Sequence, residues 1–315
     1  MVSPPPPPSA AGAHHRTRLT IPIVDSTRRI IALLGGEPRD KERWKLVVDG
    51  AAKEMEQREE RIRLSAREYQ HRRAQEEYAA LTRGPSFGTG QTEPGELHTN
   101  VANTAVTEEL MHHKFFLDIV GFTMLLMSIY APRLFARYQK CKDDLLAWKQ
   151  LRWNFDCSVL AACTWNFGRA VTRPHRDFGN LAPGWCPVTA LGDYNPDLGG
   201  HIILWELRLI IRFPPGSTIF IPSAIITHSN TPIQPHEKRH SFTQFTSGSL
   251  FRWVANGNRT NDDFLATASP EEKAQRDQAA GTRWEDGLSF FFDLGQIGIT
   301  LQNSVDTVDK YPMSS

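Results

Sequence analysis

Residues 212–230 read RFPPGSTIFIPSAIITHSN, and this stretch decides the fold class. Pro214-Pro215-Gly216 forms a turn that no helix interior tolerates. Residues 218–221 (TIFI) are a short apolar run stopped by Pro222, the length of a buried strand rather than a helix. A second apolar run follows and ends on Thr227-His228-Ser229-Asn230. Working outward, short apolar runs alternate with turns in SVLAACTWNF (158–167), WCPVTALGDY (185–194), HIILWELRLIIRF (201–213) and KRHSFTQFTSGSLFRWV (238–254). Many short strands with Gly/Pro turns predict an antiparallel sandwich or barrel over 151–256.

The flanks read differently. Residues 1–18 are Pro-rich, low in complexity and expected to be disordered. Residues 19–36 suggest two short strands, IPIV and IIALL, around a DSTRR turn. Residues 41–83 read as one or two helices rich in Arg and Glu. These are either solvated faces with i,i+4 ion pairs or an arginine face for phosphates. A polar Gly/Pro/Thr loop, expected to be mobile, covers 84–107, and helices return over 108–151 with a break at Ala131-Pro132. Together 19–150 is a mainly helical N-terminal part, which makes the chain α+β. Residues 257–315 are expected to pack on the core as a C-terminal extension. The run 115–131 (FFLDIVGFTMLLMSIYA) approaches the lower limit of a bilayer span. Its Asp118 and the following Pro132 favour a buried helix instead.

The chain has 315 residues, with 36 Lys plus Arg against 35 Asp plus Glu, for a net charge of +1. That excludes a polycation that holds nucleic acid by bulk charge; any grip on DNA must be local. Candidates are the arginines of 58–83 with Arg133, Arg137 and Lys140. Cys141, Cys157, Cys163 and Cys186 form no CxxC pair, so no disulfide framework or zinc ribbon is suggested. No signal peptide is visible.

The chemistry concentrates in His175-Arg176-Asp177. On an extended strand, residues two apart share a face, so His175 and Asp177 point the same way and Arg176 the other. With one distant histidine they would form a two-histidine, one-carboxylate set that leaves positions open on Fe(II). His228 is the favoured third ligand; His201, His236 and His240 compete. His236 lies in a polar turn, while His201 could line the pocket without binding metal. Arg239 opens an alternating strand and offers a bidentate cation for the far carboxylate of a dicarboxylic oxo-acid. His240 then points the opposite way. Ser241 and Phe245 share the face of Arg239, Ser241 to add a hydrogen bond and Phe245 either as core or as a stacking ring.

HRDFGN, NPDLGG, RFPPGSTIFIPSAIITHSN and KRHSFTQF together resemble Fe(II)/2-oxoglutarate dioxygenases of the TET/JBP type, closest to transposon-associated forms of mushroom-forming fungi. The resemblance is strong over 151–254 and looser upstream. It implies a double-stranded β-helix (jelly-roll, cupin-like) with packed helices, Fe(II) on His175, Asp177 and His228, and 2-oxoglutarate on Arg239, beside which the residue reading adds Ser241 and the pocket-lining His201 as expected co-substrate contacts. By offset it gives Asn180 and Phe245 contacts to a flipped base. It departs at Ser247, where relatives often carry a histidine near the base. The implied activity is oxidation of 5-methylcytosine in DNA in the nucleus, with no membrane and no obligate protein partner. Two alternatives stand beside it: a related oxygenase acting on N-methylated bases such as N6-methyladenine or on protein, and a non-catalytic DNA-binding relative.

Overall fold

The computed structural model describes residues 19–71, 73–88 and 90–297. The expected Pro-rich tail, Arg72 and the last residues of the C-terminal extension lie outside them. In chain order the elements begin with β1 (Ile21–Val24), β2 (Ile30–Leu34), α1 (Lys41–Glu59), α2 (Ala66–Tyr69), β3 (Ala80–Arg83), β4 (Pro85–Ser86) and β5 (Gly95–Glu96). Three helices follow, α3 (Val101–Met111), α4 (Lys114–Tyr130) and α5 (Pro132–Trp148). The strands β6 (Ala162–Asn166), β7 (Cys186–Asp193), β8 (Ile202–Leu204), β9 (Leu209–Ile211), β10 (Thr218–Ile221), β11 (His228–Asn230) and β12 (Lys238–Phe245) come next. The helices α6 (Gly248–Ala255), α7 (Asn261–Thr267) and α8 (Pro270–Ser289) close the series.

Seven strands form one antiparallel sheet in the order β1-β2-β10-β7-β12-β6-β3, and three form a second in the order β11-β8-β9. β1, β2 and β3 come from the 19–150 segment, so the large sheet spans the 150/151 boundary. Its two faces separate by period 2. Ile219 and Ile221 of β10 join Ala32, Leu34, Ala190, Ile202 and Leu204 in an apolar layer between the sheets. Phe220, between them, faces the helices with Leu33, Leu191 and Phe242. Helix α1 begins at an Asp40 cap that accepts from Arg43 N–H, and its Trp44 Nε1 donates to Gly216 O at 3.1 Å. That contact needs glycine at 216, where φ is +85° and a Cβ would sit 2.9 Å from Val48 Cγ2.

Three expectations are corrected. Residues 80–83 are a strand rather than the end of a helix, because β3 pairs along β6. Helix α3 starts at Val101, inside the expected mobile loop; Asn100 caps it by accepting from Asn103 N–H, a start signal hidden among polar residues. The run 238–254, read as short strands with turns, is strand only as far as Phe245 and then helix. Ser247 caps α6, whose Leu250, Phe251 and Trp253 are buried at helical spacing. Helix α4 buries Phe116, Ile119, Val120, Met124 and Met127 within the core. Among the described residues no single helix is long and apolar enough to cross a membrane.

Candidate metal centre

His175 lies in the 167–185 connection between β6 and β7, and His228 opens β11. Their backbones exchange hydrogen bonds, His175 N–H to His228 O at 3.1 Å and His228 N–H to His175 O at 3.0 Å. Asp177 N–H donates to Ser223 O at 2.8 Å. Both members of the HxD motif are thus sewn to the segment that carries His228. The pairing is an isolated bridge rather than a regular strand, yet it alternates faces as expected. Arg176 turns away and binds Glu206 at 2.6 Å and Thr227 Oγ1 at 2.9 Å, so its partner is a local carboxylate.

The three side chains converge. The imidazole centroids are 4.3 Å apart, and one ligand atom from each of His175, Asp177 and His228 lies within 4.8 Å of the others. His175 Nε2 stands 3.9 Å from Asp177 Oδ1, and His228 Nε2 stands 3.8 Å from Asp177 Oδ2. Each ring is oriented from behind: His175 Nδ1 bonds Arg173 O at 2.8 Å and His228 Nδ1 bonds Ile226 O at 3.0 Å. With Nδ1–H donating, the Nε2 lone pair is the free one, and it faces the carboxylate. Burial, then the facing His228, pushes the pKa of His175 down to about 4, and burial lowers His228 as well. Both rings are therefore neutral at neutral pH. Two neutral imidazoles and a carboxylate fit a divalent transition ion with open positions.

Arg239 is 1% exposed and lies on the inter-sheet face of β12. One Nη donates to Ala170 O, Tyr194 and Phe213 place their rings 6.0 Å from the guanidinium carbon, and Nε has no partner among the described residues. An orphaned donor on a buried cation is costly unless an anion answers it. Ser241 is also buried on this face and accepts from Asn166 Nδ2 at 3.0 Å. His201 bonds Thr231 Oγ1 through Nδ1 at 3.0 Å and is no member of the three-ligand cluster. His236 is exposed in its turn.

Asn180 closes a turn with Asp177 (N–H to O, 2.8 Å), and its Nδ2 donates to Ser223 Oγ at 3.1 Å and Cys186 Sγ at 3.2 Å. Phe245 is half-buried and belongs to none of the apolar clusters among the described residues, unlike Phe242 three positions earlier. Ser247, at the position of the missing histidine, is the α6 cap and accepts from Ser249 N–H.

Two residues at the centre escape a reading by local pattern. Arg73, grouped by sequence with the helical arginines, sits in a turn beyond α2, with Nη1 2.8 Å from Asp177 Oδ1. The pair is close in charge but off the line of a hydrogen bond. Tyr78 is 4% exposed, and burial pushes its hydroxyl up to about 12 against the opposing charges of Arg239 and Arg73; Asp177 acts on it too. One phenol feels both the Asp177 carboxylate and the buried guanidinium of Arg239. The other arginines are mostly spent internally: Arg58 and Arg61 bind Glu109, and Arg83 is buried against Glu96 and Glu108.

His240 faces the opposite way from Arg239, fully buried, and its Nδ1 accepts from Gly168 N–H at 2.8 Å. Burial, then Lys238 and Arg239, pushes its pKa from 6.5 to about 4. The unfolded chain takes up this proton first as pH falls, so stability drops between about 6.5 and 4, by up to about 3 kcal/mol. Denaturant midpoints across that range should fall less steeply in His240→Gln than in the parent; equal slopes would assign the acid sensitivity elsewhere.

No family model matches the chain, and no curated protein matches it. Among solved structures it is similar to NgTET1 in complex with 5mC DNA, at 12% identity over 70% of this chain and 73% of that one, TM-score 0.47. It is also similar to a Pseudomonas putida prolyl-4-hydroxylase, at 14% identity over 63% and 85%, TM-score 0.31. A viral collagen prolyl hydroxylase from Paramecium Bursaria Chlorella virus-1, in a 2OG complex, gives 14% identity over 27% and 57%, TM-score 0.22. At such partial overlap these likenesses decide neither fold nor chemistry.

Proposed function

We propose that this chain is an Fe(II)/2-oxoglutarate-dependent dioxygenase that oxidises the methyl group of 5-methylcytosine in DNA, to 5-hydroxymethylcytosine or beyond. The facing sheets are read as the double-stranded β-helix that carries such a site. One observation carries the reading: two neutral imidazoles and a carboxylate converge in a chain that also holds a buried, partly orphaned guanidinium. His175, Asp177 and His228 hold the iron. Arg239 takes the far carboxylate of 2-oxoglutarate through a charge-assisted contact, and Ser241, on the same strand face, and His201 are further proposed contacts. When bound, metal and co-substrate supply the oxidising power for C–H cleavage.

The remaining residues orient and exclude. The backbone carbonyls of Arg173 and Ile226 fix both imidazoles with Nε2 inward. Arg73, 2.8 Å from Asp177 Oδ1, offsets part of that carboxylate's charge. A base methyl inside a duplex cannot reach a site at this depth, so the nucleotide must leave the stack, at a cost of a few kcal/mol. Phe245 offers a ring outside the core on which the base stacks, worth about 1–3 kcal/mol. The side-chain oxygen of Asn180, left free by the two contacts of its amide nitrogen, accepts from the base's exocyclic amine.

The test is incubation of the purified chain with Fe(II), 2-oxoglutarate and duplex DNA carrying 5-methylcytosine, read by mass spectrometry. Oxidised methylcytosine and succinate should appear together. Succinate formed only with a peptide or an N-methylated base would contradict the DNA reading and support the corresponding relative.

A further inference from the structure

Phe178 follows a proposed iron ligand directly and is 73% exposed. Single exposed apolar side chains are ordinary on protein surfaces. This one differs in how it is held. It occupies the second position of a turn whose first residue is Asp177 and whose fourth is Asn180, closed by Asn180 N–H to Asp177 O at 2.8 Å. The turn is anchored at its first and third positions, Asp177 N–H to Ser223 O and Gly248 N–H to Gly179 O at 2.9 Å. Asn180 is tied again through its side chain to Ser223 and Cys186. The ring therefore projects outward from a fixed support between the proposed metal ligand and the proposed base contact. It joins no apolar cluster among the described residues. Two cations lie on the segments around Asp177: Arg173 is exposed with no acidic partner among the described residues, and Arg73, with Nη1 2.8 Å from Asp177 Oδ1, has a side chain 43% exposed.

We infer that Phe178 is a wedge that enters the base stack of duplex DNA and holds open the gap left by the extruded nucleotide. The inference rests on the DNA reading above and deepens it, by naming the residue that makes paired DNA accessible. An apolar ring on a rigid turn loses little conformational freedom on insertion. It exchanges contact with water for contact with base faces, as apolar wedges of DNA-bending proteins do. Arg173 is placed to meet the adjacent backbone phosphate. A single strand has no partner strand to leave and needs no wedge, so the ring serves duplex substrate selectively.

The experiment compares the parent, Phe178→Ala and Phe178→Leu on one 5-methylcytosine oligonucleotide, single-stranded and as a duplex. A second duplex carries 2-aminopurine beside the methylated base, and its fluorescence reports unstacking without any oxidation. Phe178→Ala should lower the duplex-to-single-strand ratio of kcat/KM at least tenfold and remove the fluorescence rise, with Phe178→Leu restoring part of both. A ratio and a fluorescence rise unmoved in Phe178→Ala would overturn the wedge. So would an equal loss on both substrates. If the parent oxidises neither DNA yet raises fluorescence in a Phe178-dependent way, the oxygenase reading fails while the wedge stands. If the parent oxidises neither and raises no fluorescence, both fail.

Discussion

His175→Ala should abolish turnover and iron retention together while leaving the fold intact. The ring is the part removed, and it belongs to no apolar cluster among the described residues. The two backbone hydrogen bonds with His228 survive the substitution, because they involve only main-chain atoms. What is lost is one of the three converging side chains proposed to hold the metal, and with it the two-histidine, one-carboxylate donor set. Turnover should fall at least about a thousandfold and bound iron should drop well below one per chain, with a melting temperature within a few degrees of the parent. Asp177→Ala should behave the same way in activity, with Arg73 additionally deprived of its partner. Activity retained with stoichiometric iron would contradict the ligand assignment.

Arg239→Ala should raise the 2-oxoglutarate requirement sharply. Truncating one partner of a buried charge-assisted pair costs about 2–5 kcal/mol, which is roughly 30- to several-thousand-fold in apparent affinity. The side chain also donates to Ala170 O and lies between Tyr194 and Phe213, so alanine leaves a cavity as well as an absent charge. Arg239→Lys separates the two effects. It keeps a cation and most of the volume but loses the planar fork, and should give an intermediate requirement with near-parental stability. Apparent affinity is read from turnover against co-substrate concentration, and independently from anaerobic binding of 2-oxoglutarate. An unchanged requirement in Arg239→Ala would transfer the role to Arg73, because Arg212 is engaged with Asp197.

How far the site was legible follows from which contacts are local. The HxD spacing and the strand face of Arg239 depend only on alternation along extended backbone, and both appear in the structure as read. The third histidine was harder, since its partner segment lies some fifty residues away; what marked it was the apolar run that ends on it. Arg73 and Tyr78 carried no local mark. Their positions come from a loop that runs beside the site, with Gln75 N–H on Val171 O and Arg173 N–H on Arg73 O, and no periodicity encodes that crossing. The same limit explains β3, a strand only because β6 offers it an edge. Helix α6 shows the converse error. Its Leu250, Phe251 and Trp253 follow β12 after only the four residues 246–249, and the change of period is set by one serine cap at 247.

Sequence left the arginines of 58–83 open between ion pairs and a phosphate face. The structure places Arg58, Arg61 and Arg83 in pairs with glutamates, while the cations left near the site are Arg73 and Arg173. On the proposed DNA reading, with Arg73 already facing Asp177, affinity for duplex DNA measured against salt concentration should fall along a shallow slope.

The most direct measurement is a crystal structure grown without oxygen in the presence of Fe(II) and 2-oxoglutarate. One ion bonded to His175 Nε2, Asp177 and His228 Nε2, with the distal carboxylate of the acid on Arg239, is the expected result. An ion held elsewhere, or the imidazole of His228 turned from the other two ligands with the acid unbound, would contradict it.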